Sequence, residues 1–252
     1  MSLNHFLKAP SAKPASLSPA LQAKYQELSE RLIAVSNEFG SAITFANSLG
    51  AEDMLITGCL AEQQLAIPLF VLETGRLPEP TLNLLAEVQK RWPQLDLHIY
   101  YPAPEPLEAW VAQEGINAFY RSIELRKSCC ALRKLEPLQR ALAGKQAWIT
   151  GLRRAQSVTR EQLALREWDA AQQLTKINPL FDWEEEEVWQ VIRTQGWPYN
   201  PLHDQGYPSL GCAPCTRAVE PGADPRSGRW WWEQAEQREC GLHPATRSPA
   251  AQ

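Results

Sequence analysis

The chain lacks any apolar run approaching the roughly 18 residues that a membrane-spanning helix needs, so no membrane association is expected. Its start, Met1 to Lys13, has no long apolar stretch behind a basic end, which argues against a secretory signal and for a cytoplasmic protein. A positive excess is missing too. The 25 Lys and Arg are outnumbered by 29 Asp and Glu, a net charge of −4, which argues against a protein that coats nucleic acid. No internal repeat is present, and no Gly-Lys-Ser/Thr ending of a Walker phosphate loop. Hydrophobic content is not scarce: at 44% over 252 residues it can fill one α/β domain with appendages.

Against these absences stand six cysteines, which in a reducing compartment serve as ligands, nucleophiles or core residues rather than structural disulfides. Cys212 and Cys215 form a Cys-X-X-Cys pair, and Cys129 and Cys130 are adjacent. Two close pairs of thiolates suit zinc or an iron-sulfur cluster. Adjacent cysteines reach one small ion only under strain, whereas a cluster presents separate irons, so the cluster is preferred; a redox disulfide between Cys212 and Cys215 is the third reading. Cys59 lies in an apolar segment and reads as core. Cys240 stands apart from the others near the C-terminus. A free thiol with a pKa near ~8.5 is mostly protonated at neutral pH, so covalent chemistry at Cys240 needs neighbouring cations. His243, Arg226 and Arg229 are the candidates, the alternative being a surface cysteine of no consequence.

In chain order, residues 1–17 read as a loose leader, 18–209 as an α/β nucleotide-binding core and 210–252 as a cysteine-bearing loop and C-terminal arm. Ser18 and Pro19 open a helix to about Ser36, with Leu21, Tyr25, Leu28, Leu32 and Val35 on one face. Ser41 to Leu49 reads as a buried strand. It runs through Ser48 into the turn Gly50-Ala51-Glu52-Asp53 and a helix from Met54 to Gln64, and a strand, small-residue turn and helix N-terminus together favour an anion. A second strand, Pro68 to Glu73, delivers Thr74, Gly75 and Arg76 at its C-terminal end, where open α/β sheets contact ligands. Helices near 81–92 and 107–113 flank a strand at 95–101. A basic segment from Arg121 to Lys134 continues as helix to about Ala143, and a strand at 146–152 ends in Arg153 and Arg154, whose planar forks suit an anion. The last strand is expected at Ile177 to Phe181, followed by a helix at 183–195 with Asp182 and Glu185 as its capping box. Alternating strands and helices imply a doubly wound, mostly parallel sheet, and the Pro-, Gly- and Trp-rich residues after Gly196 imply a loop-rich extension. Trp230, Trp231 and Trp232 read as packing for that extension, or else as a docking face.

Taken together, Ser48-Leu49-Gly50-Ala51-Glu52-Asp53-Met54, Leu72-Glu73-Thr74-Gly75-Arg76-Leu77, Cys129-Cys130-Ala131-Leu132-Arg133-Lys134, Gly151-Leu152-Arg153-Arg154 with Gln156-Ser157, Gly211-Cys212-Ala213-Pro214-Cys215-Thr216, Gly228-Arg229-Trp230-Trp231-Trp232-Glu233 and Glu239-Cys240-Gly241-Leu242-His243 follow in the order found in one family. The chain resembles the assimilatory adenylyl-sulfate reductases of the phosphoadenylyl-sulfate reductase family. That resemblance implies an adenine nucleotide alpha-hydrolase-like fold and a four-iron four-sulfur (4Fe-4S) cluster on Cys129, Cys130, Cys212 and Cys215. It implies Cys240 as the nucleophile that attacks the sulfur of adenylyl sulfate and expels AMP. The resulting S-sulfocysteine is reduced by thioredoxin, or by a glutaredoxin-like donor, to release sulfite. Ser48, Gly50, Ala51, Glu52, Asp53, Thr74, Gly75, Arg76, Lys134, Arg153, Arg154, Arg226, Arg229 and His243 become the substrate-binding candidates, and a homo-oligomer is compatible with the family. Relatives that use the 3'-phosphorylated nucleotide lack the two cysteine pairs. The presence of both pairs favours adenylyl sulfate, with the 3'-phosphorylated substrate, a dual-substrate enzyme or a non-catalytic iron-sulfur nucleotide sensor as alternatives.

Overall fold

A computed structural model of the chain describes residues 16–156 and 162–234. Its centre is one six-stranded sheet in the order β3-β2-β1-β4-β6-β5. The strands are β1 (Ile43–Ala46), β2 (Leu69–Leu72), β3 (Leu97–Tyr100), β4 (Ala147–Ile149), β5 (Arg166–Asp169) and β6 (Leu174–Ile177). All neighbours are parallel except the β5-β6 pair at one edge. Period-two alternation divides the strands between two cores. Ile43, Phe45, Leu69, Val71, Ala147 and Ile149 face one side with α1 (Pro19–Phe39), α2 (Ala51–Glu62), α3 (Glu79–Arg91) and α7 (Glu185–Gln195). Phe70 and Trp148 face the other, against Leu138, Ala141 and Leu142 of α6 (Glu136–Leu142). Helices on both faces make the sheet doubly wound, as its strand-helix alternation predicts. Two further helices, α4 (Pro104–Glu114) and α5 (Ile123–Cys130), complete the set of α-helices among the described residues. Among the described residues no helix is long and apolar enough to cross a membrane.

Local chemistry explains most boundaries. The Ser18 side chain accepts from Leu21 N–H at 3.2 Å, and Pro19 occupies the first turn of α1, where its missing N–H costs nothing. α2 is apolar all round, and residues Met54 to Ala61 are all buried because it is sandwiched between the sheet, α1 and α7. Trp197, just past α7, lies flat on Gly58: a Cβ there would sit 2.3 Å from the indole.

Three expectations are corrected. The strand expected at 177–181 is β6, ending at Ile177, because Asn178-Pro179 breaks the ladder and Phe181 N–H turns back to the Asn178 carbonyl at 3.0 Å. Its antiparallel partner β5 had no strand signal, since Arg166-Glu167-Trp168-Asp169 is a polar edge segment. The cap of α7 is shifted as well. Asp182 is held by both terminal nitrogens of Arg31 at 2.8 Å, and it is the Glu184 N–H that donates to Glu187, at 2.8 Å. The helix expected from the basic segment to Ala143 is interrupted by a π-helical turn, Ala131–Leu135.

After α7 the chain forms a loop-rich extension braced by its own backbone bonds and tied to the core through Arg126. Thr216 and Arg229 form an antiparallel bridge, Arg217 N–H donates to Gly228 O at 3.0 Å, and Trp230 N–H donates to Cys215 O at 3.2 Å. Arg126 of α5 donates through Nε at 3.0 Å and Nη2 at 2.8 Å to Glu233, a pair almost wholly buried, at 1% and 3% side-chain exposure. Trp230, also buried, has the Arg126 and Arg229 guanidinium carbons each 4.8 Å from its ring centroid.

Two stability measurements test this packing. Gly58→Ala should destabilise by about 1–3 kcal/mol in urea denaturation, because collision with Trp197 outweighs the roughly 1 kcal/mol that alanine gains in a helix. Glu233→Ala, which strands a buried guanidinium, should cost about 3–5 kcal/mol, and replacing both Glu233 and Arg126 by apolar residues should cost less than the single change.

Candidate functional site

The strand order reverses between β1 and β4, so a crevice opens outside their C-terminal ends, the usual place for a ligand in an open α/β sheet. On one side the chain leaves β1 through Asn47, Ser48 and Leu49 and enters α2 at Gly50, which supplies no side-chain cap. Leu49 is held in the left-handed region, φ 62°, with its N–H donating to Asn47 Oδ1 at 2.7 Å. On the other side β4 runs into Gly151, Leu152 and Arg153. Arg153 donates from Nε at 2.9 Å and Nη2 at 2.7 Å to one oxygen of Glu52, and Arg154 turns away, donating to Leu163 O at 2.6 Å and lying over Phe181. The two neighbouring arginines thus do not form a joint clamp. Asp53 is buried, and Ser48 donates to it from N–H at 2.7 Å and from Oγ at 2.5 Å. Burial pushes its carboxyl up to about 6 in spite of those donors.

Next along the sheet edge, β2 delivers Glu73, whose carboxylate accepts from Gly75 N–H at 2.9 and 3.0 Å, then Thr74 and Arg76. Here the second half of the site begins. Ala213 N–H donates to Arg76 O at 2.8 Å, fastening the Gly211–Thr216 loop to the end of β2. Cys129, Cys130, Cys212 and Cys215, from segments far apart in sequence, line a single pocket together with Arg76, Arg126, Arg133, Lys134 and Trp230. Thr74 Oγ1 lies 3.3 Å from Cys212 Sγ, and Arg133 donates to Thr74 O at 2.6 Å. Arg229 is buried against the Gly211 backbone, where a Cβ would come within 2.2 Å of its guanidinium, so this close approach requires glycine. Arg226 is half-buried in the 216–229 loop, its N–H donating to Asp224 at 2.8 Å. Cys240, His243 and Ser157 lie outside the described residues.

Two of the thiols, Cys129 and Cys215, are not tuned for attack. Burial pushes Cys215 up to about 12, reinforced by nearby Cys212, with Lys134 and Arg229 opposing; Cys129 is raised for the same principal reason. Reactive cysteines have lowered values and access to solvent, so neither Cys129 nor Cys215 is set up as a redox nucleophile. All four are free of disulfides. Among the described residues no three His, Cys, Asp or Glu side chains converge on a single-ion site. Four thiols around one cation-lined pocket are the residues that could hold a thiolate-bound metal centre, whose negative charge would complement the positive lining.

Some contributors were not singled out from sequence. Arg126 and Arg133 stand one helical turn to either side of the adjacent cysteines, and that i±3/i±4 spacing was legible, as it was for Lys134. Gly151 and Glu233 stand in the quoted motifs, but their roles have no local signal, because their partners Asp53 and Arg126 are remote in sequence. His203 is a further surprise, its Nδ1 2.9 Å from Tyr207 O and its buried Nε2 without a partner among the described residues.

Comparison with known proteins supplies the family. Residues 42–218 match the phosphoadenosine phosphosulfate reductase domain. The chain is similar to an adenosine 5'-phosphosulfate reductase of Allochromatium vinosum, 52% identical over 242 residues, covering 95% of this chain and 94% of that one. It is also similar to an adenosine 5'-phosphosulfate reductase of Burkholderia cepacia, 48% identical over 238 residues and 94% of each chain. Among solved structures, a phosphoadenylyl-sulfate reductase of Candida auris superposes with a TM-score of 0.66 at 26% identity, over 81% of this chain and 99% of that one. An FMN adenylyltransferase of Candida glabrata, with a TM-score of 0.57 at 17% identity over 90% of this chain and 78% of that one, shares the fold alone. The sheet and these neighbours define an adenine nucleotide alpha-hydrolase-like fold. With the domain matched from β1 to beyond the second cysteine pair, and relatives about half identical over nearly the whole length, the chain belongs to the phosphoadenosine phosphosulfate reductase family.

Proposed function

We propose that the chain reduces adenylyl sulfate to sulfite and AMP in sulfate assimilation, through a covalent intermediate on Cys240. The observation that carries the choice of adenylyl sulfate is the convergence of both cysteine pairs on one pocket. The high-identity relatives named adenosine 5'-phosphosulfate reductase agree with it. Cys129, Cys130, Cys212 and Cys215 would hold a 4Fe-4S cluster, which when bound supplies fixed negative charge and rigidity beside the nucleotide crevice.

In this reading the crevice between the β1 and β4 ends takes the nucleotide, with the N–H groups at the start of α2 directed at its anionic part. Arg76 and Lys134 at the pocket wall and Arg229 beside it screen the charge that would repel an incoming thiolate. The Cys240 thiolate forms a bond to the sulfur of adenylyl sulfate, the bond from that sulfur to the bridging oxygen breaks, and its electron pair leaves with AMP. A thiolate of reduced thioredoxin, or of a glutaredoxin-like donor, then attacks Cys240 Sγ. Sulfite departs with the S–S electron pair, and the donor's second thiol resolves the mixed disulfide. The nucleophile belongs to a segment beyond Glu233, so the arm has to reach the crevice for the first step and the donor for the second.

Anaerobically purified protein mixed with adenylyl sulfate, without reductant, should gain one SO3 group at Cys240 by intact-mass and peptide analysis. Reduced thioredoxin should remove it. A gain only with the 3'-phosphorylated nucleotide would move the assignment to that substrate, and no gain with either, from protein with full iron and sulfide, would favour a nucleotide sensor. Replacing Cys129 and Cys212 together by serine should abolish bound iron and acid-labile sulfide; retention of both would reject the ligand set.

A further inference from the structure

We propose that Asp53 is a positioning residue rather than a nucleotide ligand: its carboxylate ties the β1-α2 turn to the β4 loop and so sets the width of the crevice between them. The proposal rests on the sulfonucleotide reading for what the crevice holds, and on geometry for the clamp itself.

Each carboxylate oxygen serves one wall. Oδ2 accepts from Ser48 N–H at 2.7 Å and from Ser48 Oγ at 2.5 Å. Oδ1 lies so close to Gly151 that a Cβ there would be 2.2 Å away, and the Gly151 backbone amide helps to hold the carboxyl in its charged form. Gly151 is therefore glycine because Asp53 occupies the space of a side chain. The same turn is closed from behind. Thr57 Oγ1 donates to Asp53 O at 2.6 Å, Asn47 Nδ2 donates to Thr57 Oγ1 at 2.8 Å, and Asn47 Oδ1 holds left-handed Leu49. Asp53 thus joins the ring of bonds that shapes one wall to the backbone of the other. Its neighbour Glu52 makes a second cross-link to the same loop through Arg153. A carboxylate buried between the two walls is screened from a ribose hydroxyl by the groups that enclose it, and its charge would repel a phosphosulfate.

Protonation would undo the clamp, because an acid hydroxyl replaces an acceptor where the walls present donors. Burial raises the Asp53 carboxyl first and Glu52 adds to it, whereas Ser48 and Gly151 lower it. The other charged groups nearby act through Glu52: Arg153 pairs with it, and His203 of the 203–205 turn senses it together with Glu185 of α7 and Asp204. Crevice affinity should therefore fall as the pH drops through about 6.

The test uses full-length Cys240→Ser protein, which can bind adenylyl sulfate without reacting, and measures Kd by calorimetry from about pH 8 to about pH 5, a range in which the phosphosulfate does not titrate. Affinity should decline about tenfold or more with its midpoint near 6, and adding Asp53→Asn should give roughly the weaker value at every pH. Adding Ser48→Ala, which removes a donor to the ionised form, should move the midpoint upward. Parental affinity in the Asp53→Asn protein, or an unchanged midpoint in it, would overturn the proposal. Amide exchange provides the ligand-free arm: Asp53→Asn should speed exchange at both Ser48 and Gly151, and unaltered protection at Gly151 would also overturn it. Failure of the Cys240→Ser protein to bind adenylyl sulfate at about pH 8, with the exchange result as expected, would instead remove the substrate reading and leave the clamp.

Discussion

Buried positive charge is the constraint around which the cysteine half of the molecule is arranged. Arg126, Arg133, Lys134 and Arg229 are each less than a tenth exposed. A guanidinium or ammonium in such surroundings is tolerable only with hydrogen-bonding and charge partners close by. Glu233 serves Arg126; the Thr74 carbonyl serves Arg133 and the Leu210 carbonyl Arg229, supplying partial charge only. Thiolates on the proposed cluster would bring the remaining negative charge to the same place. They would also explain why thiols held so far toward the neutral form are gathered there, since a bound metal centre deprotonates its ligands. On this account the cysteines and the cations around them require each other.

That arrangement also links the two halves of the site. Arg133 reaches back to the end of β2, Ala213 N–H is bonded to Arg76 O, and the pocket wall therefore continues the C-terminal edge of the sheet. The π-helical turn falls at Ala131–Leu135, directly after the adjacent cysteines, and shifts the phase of the helix so that Arg133 and Lys134 remain buried beside them. A regular helix would carry one of them further round its axis. The loop-rich extension contributes Trp230 to the pocket lining, its ring contacted by two guanidinium groups.

How much of this could be read from the residues depended on whether a feature was local. β1 to β4 are short apolar runs bounded by turn residues, α1 begins at a Ser-Pro cap, and the cysteine spacing is visible by eye; all are properties of a few neighbouring residues. β5 escaped because an edge strand exposing one side carries charge, and Arg166-Glu167-Trp168-Asp169 looks like a loop until it pairs with β6. Asp182 looked like a cap because nothing nearby in sequence reveals Arg31 as its partner. The same holds for Arg153: a pair of arginines after a strand suggests an anion clamp, but Glu52 takes one and Phe181 stacks with the other. Partner choice between distant segments is a tertiary property, and sequence supplies only the candidates.

Asp53 shows what the fold gives up for the geometry of its crevice. In an unfolded chain an aspartate titrates near ~3.9, whereas here burial holds it at about 6. Between those values the folded form binds more protons than the unfolded one, so this residue's contribution to stability declines as the pH rises from about 4 to about 6 and stays low above that. Holding the carboxyl that far up costs the fold on the order of 3 kcal/mol at neutral pH, a substantial share of a domain's ~5–15 kcal/mol margin. An uncharged residue of the same shape would avoid that penalty, but it would present an amide N–H to one of the two walls, both of which offer donors. Only an ionised carboxylate accepts from both at once. The destabilising charge and the glycine opposite it are therefore two sides of one requirement, that the ends of β1 and β4 stay at a fixed separation.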